Sequence, residues 1–116
     1  MVDDSEPEIV PPHAKHGAPR LQEAALASLL GRFPEWRRDG DVIERRVTVA
    51  DFRTALRLVN EVGAAAEEED HHPDLAIEGW NRVTVRLTTH DAGGLTTNDF
   101  VLARAVEAAI ASCATP

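Results

Sequence analysis

Residues 82–89, RVTVRLTT, show the most regular alternation of apolar and polar side chains in the chain. Successive side chains of a β-strand point to opposite faces, so Val83, Val85 and Leu87 share one face and the polar residues between them share the other. This alternation predicts a strand with one face in the core and the other towards solvent. The rest of the fold can be worked out from this strand.

A hairpin is predicted upstream of this strand. The turn sequence Asp-Gly-Asp at 39–41 separates residues 35–38 from residues 42–49, and such a turn between two extended segments is typical of a β-hairpin. Apolar and polar residues alternate along 42–49 except at Arg45. The second strand is therefore predicted to be half buried.

Three helices are predicted around these strands. Residues 21–30 (LQEAALASLL) are rich in Ala and Leu, and Gly31 ends the segment. Residues 49–63 carry apolar side chains at helical spacing, and this helix can continue through an acidic run until Pro73 prevents it. A last helix is predicted from about residue 96 to about residue 112.

The order of these elements predicts an α+β fold. Strands that alternate with helices, and that are joined by a hairpin rather than by strict βαβ units, indicate a mostly antiparallel sheet with helices packed on one face. Residues 1–19 contain four prolines and almost no apolar periodicity, which predicts a disordered N-terminal tail. The folded domain is accordingly expected over residues 20–113.

Composition excludes several classes of function. The 116 residues suffice for one domain with a modest core. Twelve basic residues against twenty acidic ones give a net charge of −8, which disfavours binding to nucleic acid or to an anionic membrane. The single Cys113 cannot form an internal disulfide, and the acidic N-terminus does not resemble a secretory signal. We therefore expect a cytoplasmic protein.

Three histidines are the first candidates for chemistry. His71 and His72 precede Pro73, and this pair also fits a purely structural role at the end of a helix, where imidazolium groups are favoured. His90 lies in phase with the polar face of residues 82–88, just before a glycine-containing loop, which favours a site residue over a core residue. Imidazoles accept and donate protons near neutral pH, so a cluster of them suits acid/base catalysis.

Asp99 has two compatible roles. The sequence Thr96-Thr97-Asn98-Asp99 fits a variant capping box, in which the carboxylate reaches back to the start of the helix. A carboxylate fixed there can also orient a nearby imidazole. A zinc site built from the histidines and Asp99 is disfavoured, because tetrahedral sites rarely use adjacent histidines.

The order of these residues resembles the pterin-4a-carbinolamine dehydratase family. Glu67 precedes the His-His-Pro motif, an aromatic residue follows that motif, a strand ends in Thr-His, and Gly-Leu-Thr-x-x-Asp comes next. Upstream segments fit as well, so the resemblance covers residues 21–112. The matching residues are Glu67, His71-His72-Pro73, Trp80-Asn81, Thr89-His90, Gly94-Leu95-Thr96, Asp99, Leu102-Ala103, Trp36 and Asp51-Phe52-x-x-Ala55.

The resemblance implies a two-layer fold with a four-stranded sheet, and an enzyme that dehydrates 4a-hydroxytetrahydropterin to quinonoid dihydropterin without metal or organic cofactor. It implies that His71, His72 and His90 form the acid/base and substrate-holding cluster and that Asp99 orients one of them. Pro73 would shape the turn beside the substrate, and Trp80 would either pack against the flat pterin or belong to the core.

The resemblance also bears on partners. Relatives pair subunits along open sheet edges, which implies a homodimer or homotetramer and a small-molecule pterin substrate, with no nucleic acid and no membrane. Two alternatives remain open: a non-catalytic protein-binding or assembly factor on the same fold, and a small metal-dependent hydrolase. The presence of all three histidines together with Asp99 favours the dehydratase.

Overall fold

A computed structural model describes residues 10–114 of the chain. That range forms three α-helices, a four-stranded sheet and one short 3₁₀ turn. In chain order the elements are α1 (Glu23–Leu30), β1 (Arg37–Asp39), β2 (Val42–Thr48), α2 (Phe52–Glu69), β3 (Asp74–Glu78), β4 (Arg82–Leu87), the 3₁₀ turn (His90–Ala92) and α3 (Thr97–Ala114).

The sheet has the strand order β1-β2-β4-β3, and every neighbouring pair is antiparallel. β4 is central: its Leu87 lies opposite Ile43 of β2, and its Arg86 lies opposite Asp74 of β3. Helices α2 and α3 pack on each other and on the face of the sheet that carries the apolar residues of β4. The predicted α+β fold with an antiparallel sheet is confirmed.

The alternation of β4 determines where the core lies. Its three apolar side chains are buried, whereas its polar residues between them are exposed or half-buried. Burying a large aliphatic or aromatic side chain stabilises the fold by about 1.5–3 kcal/mol. The largest buried side chains packed with β4 are Leu29, Ile43, Leu58, Val62, Phe100, Leu102 and Val106.

The alternation does not reveal the fourth strand, β3. Its sequence, Asp-Leu-Ala-Ile-Glu, has only Leu75 and Ile77 as large apolar residues, and both are half-buried. An edge strand buries less surface than a central one and so leaves a weaker pattern. A three-residue turn joins β3 to β4, with Gly79 (φ +55°) and Trp80 (φ +68°) in the left-handed region.

Arg45, which interrupts the pattern of β2, faces the helices. Its Nε donates to Glu107 Oε2 on α3 at 2.8 Å, and the buried Trp36 donates its Nε1–H to the same oxygen at 2.9 Å. A charge on the core side of a sheet is tolerated when it is paired and hydrogen-bonded. The ion pair with Glu107 therefore allows Arg45 to occupy a core-facing position of β2 without interrupting the strand.

Helix α2 begins and ends with recognisable caps. The Asp51 side chain accepts the Thr54 N–H at 2.8 Å, so the helix begins at Phe52 rather than at residue 49. The predicted continuation through the acidic run is confirmed. Asp70 then adopts a left-handed conformation (φ 49°), and the His71 N–H donates to the Ala66 carbonyl at 3.1 Å, as in a Schellman motif.

Residues 10–18, the described part of the predicted N-terminal tail, are hydrogen-bonded to the rest of the domain. Residues 1–9 lie outside the described residues, but residues 10–18 run along α2 and α3, and Ala18 is 6% exposed. This segment is held by polar bonds to its main chain, which leave no periodic apolar pattern in the sequence. None of the helices in residues 10–114 is long and apolar enough to cross a membrane.

Candidate active site

His71 and Asp99 meet between the end of α2 and the start of α3. His71 Nε2 lies 2.7 Å from Asp99 Oδ1, and the Asp99 side chain is fully buried. A carboxylate can only accept, so Nε2 carries the hydrogen of this bond. The Nδ1 atom of the same ring is then left for another partner.

The second oxygen of Asp99 caps α3. Asp99 Oδ2 accepts the Thr96 N–H at 3.0 Å, while Thr96 Oγ1 accepts the Asn98 N–H at 3.2 Å. These two bonds confirm the predicted capping box. The helix N-terminus also favours a negative charge at this position.

Thr89 extends this network, a role that its place in the Thr-His motif does not by itself indicate. Its hydroxyl donates to Asp99 Oδ2 at 2.8 Å. The Thr89 and Thr96 hydroxyl oxygens are 2.9 Å apart, and because Thr89 has committed its one proton, Thr96 donates to Thr89. Thr89 is in phase with the buried residues of β4, and a polar residue on that face could have marked it as a site residue.

His72 points away from this network. Its Nε2 lies 2.5 Å from Glu67 Oε2, and both side chains are exposed. Adjacent residues on extended backbone place their side chains on opposite sides, so His71 and His72 cannot both face Asp99. Glu67, the acidic residue that precedes the His-His-Pro motif, therefore binds His72 and not His71.

His90 lies in the short loop that connects Thr89 to Gly94. It begins the 3₁₀ turn and is exposed, so the prediction that it lies outside the core is confirmed. The loop is closed by two main-chain bonds between Thr89 and Gly94, of 3.2 and 3.3 Å. His90 stands at the base of this closed loop, next to Thr89 in the chain.

A cavity of about 350 Å³ opens beside the His71–Asp99 pair. Of the three histidines proposed from the sequence, His71 lines it, whereas His90 lies between two lining residues, Thr89 and Asp91. Residues 14–18 form another side of the cavity. The remaining lining residues are Glu69, Asp70, Ala92 and Asn98.

The other two expected site residues, Pro73 and Trp80, are not among the residues that line this cavity. Pro73 is half-buried and directly precedes β3, on the side of the histidines. Trp80 lies in the turn at the far end of β3 and is 60% exposed. The expected alternative of core packing for Trp80 is therefore wrong, and the chain does not bring Trp80 to the histidines.

A metal site and a cysteine nucleophile are two alternative kinds of chemistry. Across residues 10–114, no three His, Cys, Asp or Glu side chains are grouped so that they could hold a metal ion. Cys113 is buried and donates to Glu61 Oε2 at 3.4 Å. Burial raises the pKa of its thiol, and this disfavours the thiolate that a nucleophile requires.

Comparison with known proteins identifies the family. A family model described as pterin 4 alpha carbinolamine dehydratase matches residues 19–109. The chain belongs to this family. Proteins provisionally named pterin-4-alpha-carbinolamine dehydratase are similar to it: one from Thermomicrobium roseum is 49% identical over 85 residues (73% of this chain, 90% of the relative). One from Picosynechococcus sp. is 48% identical over 86 residues (74% and 92%).

Solved structures show the same pterin dehydratase fold. A transcriptional coactivator/pterin dehydratase from Brucella melitensis has a TM-score of 0.73 and 33% identity, and the match covers 78% of this chain and 97% of that one. A pterin dehydratase-like protein identified as a RuBisCO assembly factor in the alpha-carboxysome has a TM-score of 0.56 and covers 65% and 88%. Because that protein is only 20% identical to this chain, the second comparison supports the fold alone.

Proposed function

We propose that this chain dehydrates a 4a-hydroxytetrahydropterin to the quinonoid dihydropterin and water. In this reaction the C4a–O bond breaks after the hydroxyl receives a proton, and the proton on N5 is removed as the C=N bond forms. One proton is delivered and one is taken up, so the enzyme returns to its starting state. Imidazoles, with an ordinary pKa near 6.5, suit both transfers at neutral pH.

The observation that carries the proposal is the His71–Asp99 pair on the wall of the cavity. The buried carboxylate holds one ring nitrogen at 2.7 Å, which fixes the orientation and the tautomer of the imidazole. Nδ1 is then the atom that exchanges a proton with the substrate. The cavity volume of about 350 Å³ is within the range of small-molecule sites.

His72 and His90 do not line the cavity in this chain, and we assign them substrate-holding or acid/base roles from the family resemblance alone. His90 lies in the chain between Thr89 and Asp91, both of which line the cavity, and the Thr89 hydroxyl contacts Asp99. His72 is held by Glu67, which limits its rotamers. Pro73 fixes the backbone after the pair.

Two carboxylates of the cavity suit the guanidine-like edge of a pterin. Asp70 and Asp91 line the cavity, and no hydrogen bond or ion pair within residues 10–114 occupies their side chains. An amino group and a ring N–H side by side can both donate to one carboxylate, which is a strong, orienting contact. We assign the recognition of the pterin edge to this pair.

The test is a direct assay of the purified protein. We expect faster formation of quinonoid dihydropterin from 4a-hydroxytetrahydropterin that an aromatic amino-acid hydroxylase generates in the cuvette. The acceleration should persist in EDTA, and His71→Ala should lose it while the exposed Glu68→Gln retains it. Activity that disappears in EDTA and returns with zinc would indicate the metal-dependent alternative, and no acceleration at all would indicate a binding or assembly protein.

A further inference from the structure

Residues 10–18, termed here the N-terminal strap, pack against α2 and α3, and residues 14–18 of the strap line the cavity. The strap precedes the part of the chain that the family model matches, which begins at residue 19. Its first residues are tied to α3 by one guanidinium: Arg104 donates to the carbonyls of Val10, Pro11 and Pro12 at 3.3, 2.7 and 3.0 Å. Prolines suit this contact, because their carbonyls accept while their nitrogens have no hydrogen to leave unpaired.

The last turn of α2 holds the next two residues. His13 Nδ1 lies 2.9 Å from Glu69 Oε2, and the Ala14 N–H donates to Glu69 Oε1 at 2.7 Å. The bond from His13 and the Ala14 N–H lower the pKa of the Glu69 carboxyl. Both oxygens of one carboxylate are thus committed to the strap.

Asn98 of α3 holds the centre of the strap. Its Oδ1 accepts the Lys15 N–H and its Nδ2 donates to the Lys15 carbonyl, each at 2.8 Å. The amide therefore pairs with both main-chain groups of one residue, as a neighbouring strand would. Asn98 is buried and directly precedes Asp99, so the strap is fastened next to the partner of His71.

The turn at residues 15–18 forms part of the wall of the cavity. Ala18 donates its N–H to the Lys15 carbonyl at 3.2 Å, with Gly17 in the left-handed region at φ +75°. His16 and Gly17 line the cavity, and no hydrogen bond within the described residues uses their peptide groups. Both residues are exposed, so their N–H and C=O groups are donors and acceptors beside the cavity that a ligand can reach.

We propose that the N-terminal strap is part of the substrate site: its unpaired peptide groups at His16 and Gly17 bind the polar edge of a flat heterocycle such as a pterin. This inference rests on the dehydratase function proposed above. The strap would contribute mainly to substrate affinity, because it lines the same cavity as His71 but holds none of the proton-transfer groups assigned above. It would also reduce the access of water to the reacting atoms.

The test uses two features of the chain. Asn98→Ala removes both bonds to Lys15 while keeping the main-chain bond that caps α3, and Thr97→Ala is the matched control in the same helical turn. Lys15 is also the only lysine in the sequence, so a lysine-specific endoprotease cuts the chain at one place, inside the strap. Cleavage after Lys15 reports the docking of the strap without reference to catalysis.

We expect Asn98→Ala to accelerate cleavage after Lys15 by at least about fivefold and to raise KM by a similar factor. Its kcat should change less than about twofold, because the His71–Asp99 pair is retained. Thr97→Ala should resemble the wild type in all three measurements. Binding of 7,8-dihydropterin, followed by equilibrium dialysis, provides an affinity that does not depend on turnover, and Asn98→Ala should weaken it about fivefold.

Two results would overturn the proposal. Faster cleavage with unchanged KM and unchanged dihydropterin affinity means that the strap docks without serving the site. Unchanged cleavage means that Asn98 does not hold the strap. If the wild-type protein binds dihydropterin through the strap but does not turn over the carbinolamine, only the proposed dehydratase function is refuted. If it neither binds dihydropterin nor turns over the carbinolamine, both proposals are refuted.

Discussion

Asp99 binds His71 through one carboxylate oxygen, at 2.7 Å, while its other oxygen caps helix α3 and accepts the Thr89 hydroxyl. One buried carboxylate thus joins the end of α2, the end of β4 and the start of α3. A change at this position has to affect both the geometry of the imidazole and the stability of the helix. A change at the exposed His90 is not expected to alter the stability of a helix in this way.

Asp99→Asn should therefore lose activity and stability together. Its amide group offers a donor where a carboxylate oxygen now accepts, so the His71 or the Thr96 bond is lost. We expect kcat to fall by at least about tenfold, and the free energy of unfolding to fall by about 1 kcal/mol because the cap is weakened. Urea unfolding and steady-state kinetics on the same sample measure both; an unchanged kcat would rule out an orienting role.

His71→Ala and His90→Ala distinguish a catalytic role from a structural one. A general acid or base contributes about 10²- to 10⁴-fold to rate, whereas an exposed histidine at a helix end contributes almost nothing. Each variant should lower kcat/KM by at least about tenfold, with little change in Tm for His90→Ala. Folded variants that work at the wild-type rate would refute the proposed site.

The sequence predicts those parts of the fold that have a strong periodic pattern. β4 and α2 follow from alternation and from helical spacing, and the capping box of α3 follows from its residue types. β3 is missed because an edge strand with two half-buried apolar residues has little alternation to detect. The ion pair of Arg45 with Glu107 joins residues 62 positions apart, and no local pattern records such a partner.

The site is predictable to a similar extent. The contact of Asp99 with a histidine is predicted because the residue types suit such a pair and because the order of motifs resembles a family. Trp80 is near the motif in sequence, but the length of β3 separates it from His71 in space, and sequence proximity alone does not reveal that separation. The strap is missed because its contacts use main-chain groups and distant polar side chains.

Thr89→Val tests whether the second bond to Asp99 matters. Valine has nearly the same shape but no hydroxyl, so Asp99 Oδ2 keeps only the Thr96 N–H, and the Thr96 hydroxyl loses its acceptor. We expect kcat to fall about threefold or more and stability to fall by about 1 kcal/mol. Thr88→Val is the matched control: its hydroxyl donates to the Asp41 carbonyl, away from Asp99, so kcat should stay unchanged.

The oligomeric state can be predicted from the surface. β3 is an edge strand of the sheet, and Phe52 and Leu56 of α2 are 50% and 44% exposed. Open edges and exposed large apolar groups are usually covered by a partner subunit. We expect light scattering to give the mass of a homodimer or homotetramer at micromolar concentration; a stable monomer of 12.6 kDa would contradict this.

The acid sensitivity of the fold is predicted to depend in part on Glu44. This carboxylate is 5% exposed on the outer face of the sheet, and Arg86 and Arg46 contact it at 2.7 and 2.9 Å. The Arg86 bond lowers the pKa of the Glu44 carboxyl below its ordinary value of 4.5. A lowered pKa in the folded state means that its contribution to stability is present above 4.5 and is lost as the pH falls through the folded-state value.

Glu44→Gln isolates this contribution. At pH 7 the variant should be less stable by roughly 1–2 kcal/mol, because charge-assisted bonds to Arg86 and Arg46 become neutral ones. Below about pH 4.5 the difference should shrink, since the wild-type carboxyl becomes protonated as well. Urea unfolding at pH 7, 5 and 3 measures the difference, and the exposed Glu35→Gln serves as the control with no difference expected at any pH. Parallel stability curves for the wild type and Glu44→Gln would show that the arginines do not stabilise the folded state through the charge of Glu44.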